Sequence, residues 1–268
     1  MVNLIIGGGN FKGLAYLGAI EYLYKKGLLN KIDNFYGTSV GTIIGILFCA
    51  GISPYNILNL LLEINFEEHC NMNMSNIEKS YSLITHTLFD VIDHELQKKN
   101  LKDITIKQYC KKFKINLNIY ATSLKHRKKI NFNKETFPDL KVIEAVKASC
   151  SIPILFPPVI INNEYYVDGC LKSIDGIFYG DINKEEVNYI IKSDYSNNEI
   201  NNFMSYLSQV VNCLIDNNQS TNVDIDTTIK FKFDSELENK YNFDDVDNSL
   251  KIKLFYIGLN TAKNIIEN

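Results

Sequence analysis

Gly37-Thr38-Ser39-Val40-Gly41 places a serine between two glycines, after a short aromatic run (Phe35, Tyr36) and before an apolar one (Thr42 to Ala50). G-x-S-x-G at a strand-to-helix turn exposes a serine hydroxyl for nucleophilic attack on a carbonyl. The competing reading is a tight turn whose serine caps a helix. A serine nucleophile needs a base, oxyanion donors and a carbonyl held in line. The histidines are His69, His86, His94 and His126, and none follows residue 126. The serine–acid–histidine chain order of α/β-hydrolases is therefore disfavoured. His69, His86 and His94 fall in the least regular part of the chain and read as exposed; His126, beside Lys125 and Arg127, reads as surface. An acid can act instead. Tyr165-Tyr166-Val167-Asp168-Gly169-Cys170 puts Asp168 at a strand end, where a layered α/β fold presents site residues. Burial there would raise the proton affinity of the carboxylate, and a serine hydroxyl can bond to it directly. The plain alternative is an Asp-Gly turn. Gly7-Gly8-Gly9-Asn10-Phe11-Lys12-Gly13 supplies candidate oxyanion donors, because successive backbone N–H groups at a helix start form a nest for negative charge. The same loop could serve a dinucleotide, with Asp33 as the ribose acid, but G-x-G-x-x-G counted from Gly7 fails at Lys12. A Walker A loop is absent.

Val2 to Ile6 reads as a buried strand, and a helix is expected from about Phe11 to Lys26, closed by Gly27. A strand at Phe35 and a helix after Ser39 that stops at Gly51 follow. Ser53-Pro54 opens the next helix, with serine as cap and proline at the first position. From Asn65 to Asn100 the pattern is weak, with helices expected around Tyr81 and Val91. Thr105 to Gln108 is a capping box for a helix ending near Phe113. Strands are expected over 116–122, 129–132, 159–161 and 165–167, the last two joined by Asn162-Asn163, with a helix over 141–149. Further strands are expected at 187–191 and 225–233, and helices near 200–213 and over 249–266. Alternating strands and helices argue an α/β layered domain.

The chain has 268 residues, a formal net charge of −3 and 46% hydrophobic residues, which suits one globular domain. No basic surface of nucleic-acid type is present; Lys125 to Lys129 is a short local patch that reads as a solvated hairpin. The 6 cysteines show neither C-x-x-C nor metal-ligand spacing and read as reduced thiols of an intracellular protein. No signal-peptide core and no run long enough to span a membrane is found, so an intracellular, cytoplasmic protein with peripheral membrane contact is expected.

Taken together, these segments resemble the patatin-like phospholipase family. Gly8, Gly9, Lys12 and Gly13 precede the helix Leu14 to Leu23. The elbow Gly37 to Gly41, Lys147 to Pro153, Phe156 to Val159 and Tyr166 to Gly169 then follow in family order. The C-terminal helix with Tyr256, Gly258 and Ala262 is similar too. Likeness is weakest over 65–100 and 170–248. The resemblance implies a three-layer α/β/α sandwich with a largely parallel central sheet. It also implies a single domain over 1–268, in which 54–100 is a possible lid or cap. The expected reaction is hydrolysis of fatty-acyl esters of membrane or micellar lipids, without metal or cofactor. Ser39 becomes the nucleophile and Asp168 the base, with amides of Gly8, Gly9 and Asn10 as oxyanion hole and Lys12, Gly13, Gly37, Gly41 and Gly169 in support. Three positions depart from the family pattern. Asn10 stands for a third glycine, Lys12 for an arginine, and Cys170 for glycine or alanine. A non-catalytic lipid-binding module on the same fold and a nucleotide-binding α/β protein are the alternatives.

Overall fold

The computed structural model describes residues 1–64, 72–173, 175–193, 228–231 and 247–268, with isolated positions 200, 206, 209, 210 and 213. Strand β1 (Val2–Ile6) shows how the sequence builds the sheet. Leu4 and Ile6 point into the main core, whereas Ile5 points to the opposite face, where it meets Ile177, Ile182 and Ile190. That alternation is the period-2 signature of a strand covered on both faces. Beside β1 run β2 (Asn34–Thr38) on one side and β7 (Val187–Ser193) on the other, both parallel to it. Next come β3 (Asn116–Ser123), parallel to β2, and β8 (Thr228–Phe231), parallel to β7. Antiparallel strands complete the far side: β4 (Lys128–Phe132) and β6 (Glu164–Asp168) pair with β3, and β5 (Val159–Ile161) pairs with β6. The sheet is thus mixed and mostly parallel, in an α/β fold.

On the smaller-cluster face an amide ladder crosses four parallel strands. Asn116 donates to Asn34 (2.9 Å), Asn34 to Asn3 (2.7 Å) and Asn3 to Asn188 (2.7 Å), each pair in register. Buried amides must find partners, and here they find one another.

The main face lies under helices. α1 (Gly13–Lys25) is buried from Gly13 to Leu23, and α8 (Asn248–Glu267) lies along it. α2 (Val40–Cys49) packs on β1 and β2, and α7 (Val142–Ser149) on β3 and β6. α3 (Pro54–Glu63) begins as expected, with the Asn56 N–H donated to the Ser53 hydroxyl. Two further helices, α4 (Ser75–Ser80) and α5 (Leu88–Lys98), occupy the weakly patterned stretch. Tyr81 is not inside a helix as expected but ends α4 in the left-handed conformation (φ 60°). α6 (Ile106–Phe113) carries both halves of its capping box. The first helix also starts later than expected. Asn10–Lys12 forms a 3₁₀ turn before the α-helix begins at Gly13. Asn162 and Asn163 both take positive φ (51° and 61°), as a two-residue hairpin between twisted strands requires. The helix expected near 200–213 falls largely outside the described residues, as does His69.

Candidate active site

A single residue separates β2 from α2, and that residue is Ser39. It adopts φ 54°, ψ −133°, a conformation that costs a non-glycine residue on the order of 1–3 kcal/mol and persists only where neighbours enforce it. The enforcement is visible. The Ser39 N–H donates to the Ser149 hydroxyl (3.0 Å), which itself donates to the Tyr120 carbonyl (2.6 Å). Since the one Ser149 proton is used there, the Thr42 hydroxyl must donate to Ser149 across their 3.1 Å contact. A Cβ at Gly41 would come within 2.5 Å of the Ile6 carbonyl and 2.6 Å of the Gly7 carbonyl. Only glycine lets the end of β1 lie this close to the elbow. Gly37 packs under the Phe35 ring, and Gly13 against Val40.

Register brings the acid to the serine. β2 occupies residues 116–120 of β3 and β6 occupies 121–123, while β4 spans 119–123. A strand has two edges, so β2 and β6 must share one, meeting end to end. β2 ends with Thr38 opposite Tyr120, and β6 ends with Asp168 opposite Ala121. Asp168 is 3% exposed. Its N–H donates to the Ser151 carbonyl (2.9 Å), its carbonyl accepts from the Thr122 hydroxyl (3.0 Å), and its Oδ1 accepts from the Cys170 N–H (2.8 Å). Burial pushes the carboxyl up to about 6, offset in part by the Cys170 N–H and by the nearby Ser39 hydroxyl. No contact of ordinary hydrogen-bond length and angle closes onto Oδ2, which is left without a partner. Catalytic hydrogen bonds are often loose before substrate binds. Gly169 lies against the Tyr120 carbonyl, where a Cβ would intrude at 2.6 Å.

The glycine loop closes the third side. Gly8 faces Ser39, and the Cys170 sulfur occupies the space a Gly8 side chain would need. Asn10 takes φ 51°, a conformation asparagine tolerates. One expectation needs correction. The Gly8 N–H is already donated to the Asp175 carbonyl (3.0 Å), so Gly8 shapes the loop rather than offering a free donor. The N–H groups of Gly9 and Asn10 have no hydrogen-bond partner among the described residues. Lys12 closes the 3₁₀ turn through its N–H to the Gly9 carbonyl (2.9 Å). Among the described residues no cluster of His, Cys, Asp or Glu could hold a metal ion.

Ser39 opens onto an apolar pocket. Asn10, Phe11 and Val40 line it near the loop and elbow, Leu61 and Ile64 come from α3 and its end, and Phe89 and Ile92 from α5. Ile152 and Phe156 complete the wall.

Sequence reasoning overlooked Ser149, Thr42, Ser151 and Asp175. The Asp175 carboxylate accepts from Ser173, Ile177 N–H, Tyr179 and Lys192, all at 2.9–3.0 Å, and so fixes the segment that holds Gly8. A second Asp-Gly pair, Asp175-Gly176, was the available signal. His86 was expected at the surface. It is half-buried instead, 3.3 Å from the Ser151 hydroxyl and edge-on to Phe89, and burial pulls its pKa down to about 4. The side-chain contact of its ring nitrogen is with Ser151, not with Ser39. His94 is exposed, and His126 meets Glu164 at the surface (3.2 Å).

Comparison with known proteins gives the family and the fold. The family model described as "Patatin-like phospholipase" matches residues 4–174. A protein of Invertebrate iridescent virus 6 described as a probable lipid hydrolase is 32% identical over 176 residues, covering 62% of this chain and 58% of that protein. Triacylglycerol lipase 5 of Saccharomyces cerevisiae is 28% identical over 167 residues, covering 58% of this chain and 22% of the yeast protein. The chain thus matches little more than half the length of the viral relative. Among solved structures, the type III effector ExoU of Pseudomonas aeruginosa aligns with a TM-score of 0.60 at 12% identity, over 99% of this chain and 52% of ExoU. VipD of Legionella pneumophila aligns with a TM-score of 0.56 at 14% identity, over 99% of this chain and 66% of VipD. At such identities the structural likeness concerns the fold.

Proposed function

Because the chain belongs to the patatin-like phospholipase family, we propose that it hydrolyses fatty-acyl esters of lipids through a Ser39–Asp168 dyad. The observation that carries this reading is the end-to-end meeting of β2 and β6 on one edge of β3, with a strained serine beside a buried carboxylate. Asp168 takes the Ser39 proton as Oγ bonds to the ester carbonyl carbon. The oxyanion is received by the N–H groups of Gly9 and Asn10; one such donor is typically worth about 3 kcal/mol. As the tetrahedral intermediate collapses, the alcohol or lysolipid oxygen leaves with the proton held by Asp168. Water then gives a proton to Asp168 and attacks the acyl-enzyme. Breaking the acyl–Oγ bond returns the proton to Ser39 and frees the fatty acid. The apolar pocket receives the acyl chain, and α3 with α5 forms its cover. Phospholipids are the substrate class favoured by the family, with triacylglycerol as the variant suggested by the yeast relative.

Ser39→Ala and Asp168→Asn should each abolish acyl release from a mixed lipid extract, read by mass spectrometry, while the proteins stay folded. Turnover retained by either variant would refute the dyad. Lipid binding without acyl release by the unaltered protein would favour a non-catalytic module. A nucleotide loop finds little support, because the Gly8 amide is already engaged.

A further inference from the structure

Six exposed apolar side chains gather on one face instead of scattering. Ile160 and Tyr165 are cross-strand partners on the outward side of the β5–β6 hairpin. The Tyr165 ring meets Tyr81 edge-on at 6.4 Å, and the Tyr165 carbonyl accepts the N–H of Leu124 (3.0 Å). Ile154 bridges to Ser82, next to Tyr81, and Ile77 lies one turn before it. Tyr81 is 63% and Ile160 59% exposed. Isolated exposed residues need no account, whereas a contiguous apolar patch marks an interaction surface.

Two residues of positive φ fall in the same place. Ile154 has φ 71° and Tyr81 φ 60°, a region that β-branched and bulky residues enter only at a cost. The neighbours Ile152 and Phe156 turn inward to line the pocket, whereas Ile154 is turned outward. Folding gains nothing from that. The face also sits at the correct edge of the sheet. The β3–β4 turn leaves the carboxyl end of β3, as Ser39 leaves that of β2. That turn carries exposed Lys125, His126 and Arg127, and exposed Lys128 opens β4, with Glu164 as the nearby acid, held by Lys125 at 2.8 Å. An apolar centre with tyrosines and a basic fringe suits the boundary of a bilayer whose headgroups are anionic.

We propose that this face docks the protein on anionic phospholipid membrane and so sets the pocket mouth against its lipid. The inference rests on the acyl-hydrolase reading only for the purpose of docking. The docking itself is measurable without catalysis.

The test is flotation with vesicles of phosphatidylcholine alone and of phosphatidylcholine mixed with phosphatidylserine, using Ser39→Ala protein so that lipid is not consumed. Binding should require phosphatidylserine and weaken as salt rises. Ile160→Ser with Tyr165→Ser should lower it by about tenfold or more. Arg127→Gln with Lys128→Gln should erase the preference for phosphatidylserine, and Tyr256→Ser, exposed on α8, should change nothing. In the Ser39 background, Ile160→Ser with Tyr165→Ser should still hydrolyse a short soluble ester, showing that the fold survives. Vesicle binding unaltered by the paired substitutions, or lost equally with Tyr256→Ser, would overturn the proposal. So would concentration-dependent self-association abolished by the same pair, which would assign the face to a second copy. Hydrolysis of soluble ester without vesicle binding would remove the docking face and leave the dyad standing. Binding without any hydrolysis would do the reverse.

Discussion

The floor and the roof of the pocket are held by different forces. At the floor, strand ends and hydrogen bonds set each group. Ser149 ties the elbow to β3, Thr122 and Ser151 hold the Asp168 backbone, and Asp175 holds Gly8. At the roof, Leu61, Ile64, Phe89 and Ile92 reach the pocket as apolar side chains from helices. Directional bonds set positions closely, which bond-making needs; non-directional burial tolerates exchange of one hydrocarbon for another. The floor should therefore govern rate and the roof the choice of acyl chain.

The largest effects should come from the floor. Ser39→Ala or Asp168→Asn should lower kcat for any ester by at least about 10³-fold, measured on a short soluble ester and a long-chain lipid alike. Different losses on the two substrates would blur the division. Next is pH. Asp168 must be ionised to act as base, so activity should fall about tenfold per unit below about pH 6. That limb should survive His86→Asn, since His86 is held near 4. Stability has the opposite sign. Between about pH 4 and 6 the native state keeps a proton on Asp168 that the unfolded chain has released, so this group's contribution to stability falls as pH rises. Above pH 6, Asp168→Asn should be more stable than the parent by up to about 3 kcal/mol in urea melts. A less stable variant would mean that the carboxylate is not burdened by its burial. Third, Ser149→Ala should strand the Ser39 N–H and the Tyr120 carbonyl. The expected cost is about 1–3 kcal/mol of stability, with a roughly tenfold fall in kcat and little change in KM. The smallest effect belongs to the roof. Ile92→Ala should raise KM for long-chain esters by roughly tenfold and leave short esters unchanged, as expected for one shortened apolar contact. A fall in kcat on both would place Ile92 with the floor.

The same division governs how much could be read from the residues. Strands β1, β2 and β3, the elbow and both capping signals follow from local patterns of two to five residues, and the structure has them where expected. Ser39 and Asp168 were legible as types at strand ends. Their meeting was implied by the family resemblance and not by any local pattern, because it depends on β6 taking over the edge of β3 that β2 vacates, a pairing between segments 130 residues apart in the chain. Gly8 illustrates the converse. Its position was legible from the glycine run, but whether its N–H was free depended on Asp175, distant in sequence. Tyr81 and His86 were misread because 65–100 lacks a clean period, and tertiary contacts decided their environments.

The asparagine rungs serve as a ruler. Counting five residues toward the carboxyl end from Asn3, Asn34, Asn116 and Asn188 reaches Gly8, Ser39, Ala121 and Ser193. These are a loop glycine, the elbow serine, the residue opposite Asp168 and a partner of Tyr16, whose hydroxyl also donates to the Gly8 carbonyl. A strand slipped by one position would lose its amide match at one end and misplace a group of the proposed site at the other. Replacing one rung, as in Asn34→Val, therefore threatens chemistry roughly 16 Å away, five residues along a strand, without touching any atom that takes part in it.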